Sequence, residues 1–163
     1  MQNENKDAHR SKRRILIVDD HLDVRCALGW LIDSNSDLTA CAAAESFDQA
    51  RTIIEDQSFD LAIVDISLND GSGLELTKLT RSRHPDMPVL IFSAHDDLLY
   101  VERALRWGAH GYLVKSWDTA RDILTAIRQV LDGGIYISRR ITQEFPVSDI
   151  EVIVTAWAGE APQ

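Results

Sequence analysis

Four short, unbroken apolar runs constrain this chain more than any other feature: Ile15-Leu16-Ile17-Val18, Leu61-Ala62-Ile63-Val64, Val89-Leu90-Ile91-Phe92 and Gly111 to Val114. A strand with one wet face alternates apolar and polar residues, so continuous runs call for a sheet covered on both faces. Leu38 to Ala44 is a weaker strand, second in chain order. Between the strands lie segments of helical period: Leu22 to Asp33, Ser46 to Gln57, Gly73 to Arg83, Asp97 to Trp107 and Asp118 to Asp132. The last carries the stripe Ile123, Ile127, Val130, Leu131, which lies along one helical face. Five strand–helix units in this order predict a parallel, doubly wound α/β sheet of five strands with right-handed crossovers and five flanking helices.

A length of 163 residues with 45% apolar side chains suits one domain, or one domain with a fragment of another. No apolar run approaches the roughly eighteen residues of a membrane span, and the polar start lacks the apolar centre of a signal peptide. Two cysteines, Cys26 and Cys41, cannot build a disulfide framework and read as buried or partly buried thiols of a reducing, cytoplasmic protein. The net charge of −9 is uneven: the first fourteen residues carry five basic and two acidic groups, and the rest of the chain is strongly acidic. Such a body does not attract nucleic acid through its field, and no basic element follows Arg14.

In an open α/β sheet, ligands bind beyond the carboxyl ends of the strands. The residues there are Asp19 and Asp20 after the first strand, Asp65 closing the third, Ser93 after the fourth and Lys115 after the fifth. Each has an unremarkable alternative: an Asp-Asp pair often only caps a helix, and a lone Ser or Lys means little. Their joint placement on one rim is what points to function. Three clustered carboxylates repel one another unless a cation sits among them, and an oxygen-only set suits Mg²⁺. A lysine and a hydroxyl opposite would hold the remaining oxygens of a phosphoryl group.

These residues stand in wider motifs. Val18-Asp19-Asp20-His21, Asp65 within Ile-Val-Asp-Ile-Ser-Leu-Asn-Asp-Gly-Ser-Gly-Leu-Glu-Leu, Phe92-Ser93-Ala94 and Gly111-Tyr112-Leu113-Val114-Lys115 together resemble the receiver domain of two-component response regulators. The likeness covers about residues 13–134. It implies a flavodoxin-like sheet of strand order 2-1-3-4-5. It also implies that Asp65 is a nucleophile taking a phosphoryl group from a phosphohistidine on a sensor histidine kinase. Asp20 and Asp65 would ligate Mg²⁺ directly, Asp19 mainly through water, and Ser67 through its backbone carbonyl. Lys115 would pair with Asp65 and then with the phosphoryl oxygens, while Ser93 would bond one of them and Tyr112 would swing inward behind it. Such a protein is a phosphoacceptor, not an enzyme turning over external substrates. Ser116 follows Lys115 where many receivers have a cis-proline peptide, which opens the conformation of that loop. Ser67 and His95 occupy positions where receivers vary and where phosphoryl lifetime is tuned, and His95 is not expected to bind metal. His9, His21, His84 and His110 read as polar surface or loop residues, Gly71 and Gly73 as a turn into the third helix, and Trp30, Trp107 and Trp117 as packing residues.

The start of the motif, Lys115-Ser116 and Gly133-Gly134-Ile-Tyr-Ile-Ser are similar to the NarL/FixJ subfamily, whose receivers precede a LuxR-type helix-turn-helix domain. The expected organisation is a flexible basic leader over 1–12, a receiver over 13–134 and an extended linker over 135–147. Residues 148–163 are then an incomplete start of the helix-turn-helix domain or a short docking helix. There Ser148 and Glu151 have capping-box spacing, Val147 and Val152 could form a hydrophobic staple, and Gly159 could end the helix. Ile150, Ile153, Val154 and Trp157 would share one face of that helix. The first reading is therefore a receiver from a transcription regulator, dimerising on phosphorylation and contacting DNA only through an output domain largely absent here. A stand-alone receiver acting by protein contact or as a phosphate sink is the alternative. A metal-dependent phosphatase fits less well, because Ser67 stands where the second Asp of such an enzyme belongs.

Overall fold

The computed structural model describes residues 11–160, with side-chain surroundings through residue 156. The leader up to residue 10, and His9 with it, lies outside the described residues. The elements run β1 (Arg13–Val18), α1 (Leu22–Asp33), β2 (Leu38–Ala44), α2 (Phe47–Asp56), β3 (Leu61–Val64), and a small hairpin of β4 (Ser67–Leu68) and β5 (Gly71–Ser72). Then follow α3 (Gly73–Arg83), β6 (Val89–Ser93), α4 (Leu98–Arg106), β7 (Gly111–Val114), α5 (Ala120–Leu131), β8 (Tyr136–Ile137), α6 (Arg139–Glu144) and α7 (Val147–Glu160). The main sheet has the order β2-β1-β3-β6-β7-β8, with every pairing parallel.

Alternate residues of each apolar strand sort to opposite faces, as the pleat demands. Ile15, Ile17, Leu61, Ile63 and Leu90 pack under α1 and α5 with Leu28, Ile32, Ile123 and Ile127. Leu16, Val18, Val64, Ile91 and Tyr112 face α2, α3 and α4, against Ala50, Ile54, Leu76, Val101 and Leu105. Two cores are thus buried by one sheet, which is why the strands carry no polar alternation. Caps sharpen the helix starts. Ser46 accepts from the Gln49 amide, and Thr119 and Asp122 cap each other reciprocally at α5.

The C-terminal part departs from the sequence expectation. The main sheet has six strands, not five. Within the segment expected as linker, Tyr136–Ile137 pairs with Gly111–Tyr112 as β8. Gly133, at φ 90, turns the chain out of α5 and back along the sheet edge. Next comes α6, whose Ile141 is fully buried in the core. The α7 helix begins at Val147, ahead of the expected cap, with the Asp149 and Ile150 amides on the Pro146 carbonyl. Ser148 lies inside the first turn and does not cap, because the proline already presets the helical entry. Val147 and Val152 are 65% and 69% exposed, so there is no staple. The helix also continues through Gly159.

Instead α7 packs against α4, with Ile150, Ile153 and Val154 joining the core cluster. The Trp157 side chain falls outside the described surroundings. Cys26 and Cys41 are exposed rather than buried. Trp30, Trp107 and Trp117 are exposed as well, Trp30 at 76%. Leu28 and Ile32 already fill the inner face of α1, which leaves Trp30 on the outer one. Among the described residues no peptide bond is cis, so Lys115–Ser116 is trans. No described helix is long and apolar enough to cross a membrane.

Candidate functional site

The carboxyl ends of β1, β3, β6 and β7 meet on one rim because their registers are locked in parallel. The Asp65 amide donates to the Val18 carbonyl, the Asp19 amide to Ala44 and the Lys115 amide to Ser93, at 2.9, 3.1 and 2.8 Å. These backbone bonds carry the strand ladders one residue past the apolar runs and set the polar side chains side by side. Gly73 opens α3 against this rim. A Cβ there would drive into the Asp65 carbonyl oxygen, so only glycine lets the helix come so close.

Lys115 is the centre of the charge arrangement. Its Nζ donates to Asp19 Oδ2 at 2.6 Å and to Asp65 Oδ2 at 3.0 Å. It therefore bridges two carboxylates that are both buried. Burial raises the Asp65 carboxyl above its ordinary value, with the Lys115 hydrogen bond and charge pulling the other way. Burial also opposes the Lys115 charge. The hydrogen bonds and charges of Asp19 and Asp65 outweigh it and hold the ammonium above its usual value. One cation thus serves two buried anions, and a third carboxylate, Asp20, stands beside them.

Asp19, Asp20, His21 and Asp65 each offer a ligand atom, all within 4.8 Å of one another. Asp20 Oδ1 is buried and accepts no hydrogen bond. His21 Nδ1 lies 2.9 Å from that oxygen, and it hydrogen-bonds Asp19 Oδ1 at 3.2 Å. Excess negative charge and a set of carboxylate oxygens, among them a buried Asp20 oxygen that makes no hydrogen bond, fit a hard divalent cation such as Mg²⁺. The position of His21 was not legible from its spacing, since polar loop histidines have no periodic signature.

Ser67 stands on β4. Its amide reaches Asp65 Oδ1 at 3.4 Å, and its hydroxyl pairs with His95 Nε2 at 3.1 Å. The His95 ring stacks on Tyr100 with centroids 4.1 Å apart. His95 therefore bonds across the site mouth and not to the acidic cluster. Ser93 is buried, and its Oγ accepts the His95 amide at 3.1 Å. Tyr112 already lies inside, fully buried, with its hydroxyl donating to the His95 carbonyl at 2.8 Å. Burial pushes that phenol well above its ordinary value. Of the remaining histidines, His84 is half-buried with Nε2 2.6 Å from the Ile54 carbonyl, and His110 is half-buried beside β6. Both stand in loops, partly buried.

The model of the response regulator receiver domain matches residues 15–128. The transcriptional regulatory protein DegU of Brevibacillus brevis is 33% identical over 138 residues, 85% of this chain and 58% of that protein. The transcriptional activator protein ExaE of Pseudomonas putida is 35% identical over 130 residues, 80% of this chain and 60% of that one. This chain therefore spans about 60% of the length of these relatives. Among solved structures, a two-component response regulator of the LuxR family from Aurantimonas sp. SI85-9A1 superposes with a TM-score of 0.79 at 30% identity. That match covers 87% of this chain and 99% of the other.

Proposed function

The chain belongs to the response regulator receiver family, and from that premise we propose that Asp65 accepts a phosphoryl group from the phosphohistidine of a sensor histidine kinase. The observation that carries this reading is the Lys115 ammonium held between Asp19 and Asp65 on the strand-end rim. A carboxylate oxygen of Asp65 attacks phosphorus as the P–N bond to the donor imidazole breaks. The product is an acyl phosphate on Asp65 and a free imidazole, which takes its proton from solvent. Lys115 turns from Asp65 to the phosphoryl oxygens, and the Ser93 hydroxyl donates to another of them. Asp19, Asp20, Asp65 and the Ser67 carbonyl would hold Mg²⁺, which supplies neutralising charge to the transferred group. Catalysis is then positioning and charge placement, and one phosphoryl group is stored per chain instead of a substrate being turned over.

The stored charge is the signal. Ser93 and Tyr112 are read as the switch pair, because the Tyr112 hydroxyl and the Ser93 hydroxyl both engage His95. The relatives named above are transcriptional regulators, so the output in the whole protein is read as control of transcription through a DNA-binding domain. A homodimer formed on phosphorylation and a cytoplasmic location complete this reading. The receiver is taken as residues 13–134, preceded by the basic leader. For residues 148–163 the packing of α7 on α4 favours a docking helix over the first helix of a helix-turn-helix domain. The same packing favours the second reading, a receiver acting by protein contact.

The test is incubation with acetyl phosphate and Mg²⁺, followed by intact mass. One phosphoryl group per chain is expected, and none for Asp65→Asn or in excess chelator. Label on the Asp65→Asn variant would overturn the site assignment.

A further inference from the structure

Arg140, on α6, touches both loops that carry the candidate phosphoryl contacts. Its Nε and Nη2 lie 3.3 and 3.2 Å from Asp96 Oδ2, three residues after Ser93. Its guanidinium also sits over the Trp117 ring, 5.7 Å from the centroid and two residues after Lys115. Glu144, one turn further along α6, fixes the same group at 2.9 Å. Beyond it the chain enters α7, whose inner face packs on α4 with the core residues Val101 and Leu105.

We propose that Arg140 is a latch that couples the chemical state of Asp65 to the seating of α7 on α4. This rests on the reading of Asp65 as phosphoacceptor. While Asp65 is unmodified, Arg140 holds Asp96 and Trp117 together and α7 stays down. When the P–O bond to Asp65 forms and the donor's leaving group departs, Ser93 and Lys115 reorient toward the new phosphoryl oxygens. Both loops shift, and one planar guanidinium can no longer meet an anion and an aromatic face at once. A half-exposed ion pair is weak, which suits a switch: losing it shifts a population without unfolding the domain. A single helix of 14 residues with several β-branched side chains is marginal in water without its partner face. Its release uncovers the apolar face of α4 that it covers in the unmodified chain.

The experiment is hydrogen–deuterium exchange of the whole chain, with and without acetyl phosphate and Mg²⁺, with intact mass recorded on the same samples. Exchange over residues 147–156 is expected to rise about twofold to fivefold on phosphorylation, the range a weak ion pair can control. Arg140→Ala and Asp96→Asn should raise it as much in the unmodified chain, and phosphorylation should then add little. If Asp65 is labelled and exchange over 147–156 does not change, the latch is wrong while the phosphoacceptor reading stands. If the two variants leave exchange unaltered in unmodified chain, the latch is wrong as well. A chain that takes no label overturns the phosphoacceptor reading and, with it, the coupling.

Discussion

Lys115 is a single cation between two buried carboxylates of the candidate site. Asp19 and Asp65 are buried beside it, and replacing it with methionine leaves two anions without their cation. Removing one partner of a buried ion pair costs on the order of 3–5 kcal/mol. Lys115→Met is therefore expected to lower Tm strongly in chelator and to recover part of the loss when millimolar Mg²⁺ is added. A variant whose Tm does not move on adding Mg²⁺ would show that these carboxylates do not share a metal. His110 makes a separate point about acid stability. Its Nδ1 accepts the Val89 amide at 3.4 Å. Burial first, then the charge of Arg81, holds its pKa down at about 4. The unfolded imidazole titrates near 6.5. Between those values the unfolded chain binds the extra proton, so stability declines as pH falls from about 6.5 toward 4. His110→Asn should flatten that part of the Tm profile, and an unchanged slope relative to the native chain would contradict the assignment.

Among the elements, the first five strands of the main sheet and the helices up to Leu131 were legible almost to the residue, for physical reasons, whereas the two-residue strands β4 and β5 were not. Strands buried on both faces must be continuous and apolar, and Ser46 and Thr119 mark their helix starts by accepting the amides there. The tail was not legible because two residues, Tyr136 and Ile137, carry no pattern of their own. They become a strand only because α5 and Gly133 deliver them to the open edge of β7. In the same way Ile141 is one apolar residue in a polar hexamer, yet it is fully buried. Ile141→Ala is expected to cost about 2–5 kcal/mol, as for other buried aliphatic truncations. Urea unfolding checks this, and a change below about 0.5 kcal/mol, the usual range for surface substitutions, would mean that α6 is an appendage and not part of the core.

Over the whole molecule, the candidate site was readable because topology does the assembling. Once the strands are parallel and in order, the residues following each apolar run must share one rim, whatever the loops do. Contacts set by side-chain direction were not readable. The pairing of Ser67 with His95 joins residues 28 apart, and Arg140 meets Asp96 across 44. The outward tryptophans were misjudged because composition reports how apolar a residue is and not which helical face remains free. Charge shows the same division. Asp19 and Asp65 are buried around Lys115 with Asp20 beside them, while Asp118 and Asp122 are buried away from that rim, at the start of α5.

Borohydride reduction of the phosphorylated chain, followed by peptide mass mapping, reads the position of the acyl phosphate itself. The account predicts one reduced aspartyl side chain per molecule, at position 65, formed only when Mg²⁺ and a phosphodonor are both present. Reduction at Asp19 or Asp20, or at no aspartate, would contradict it.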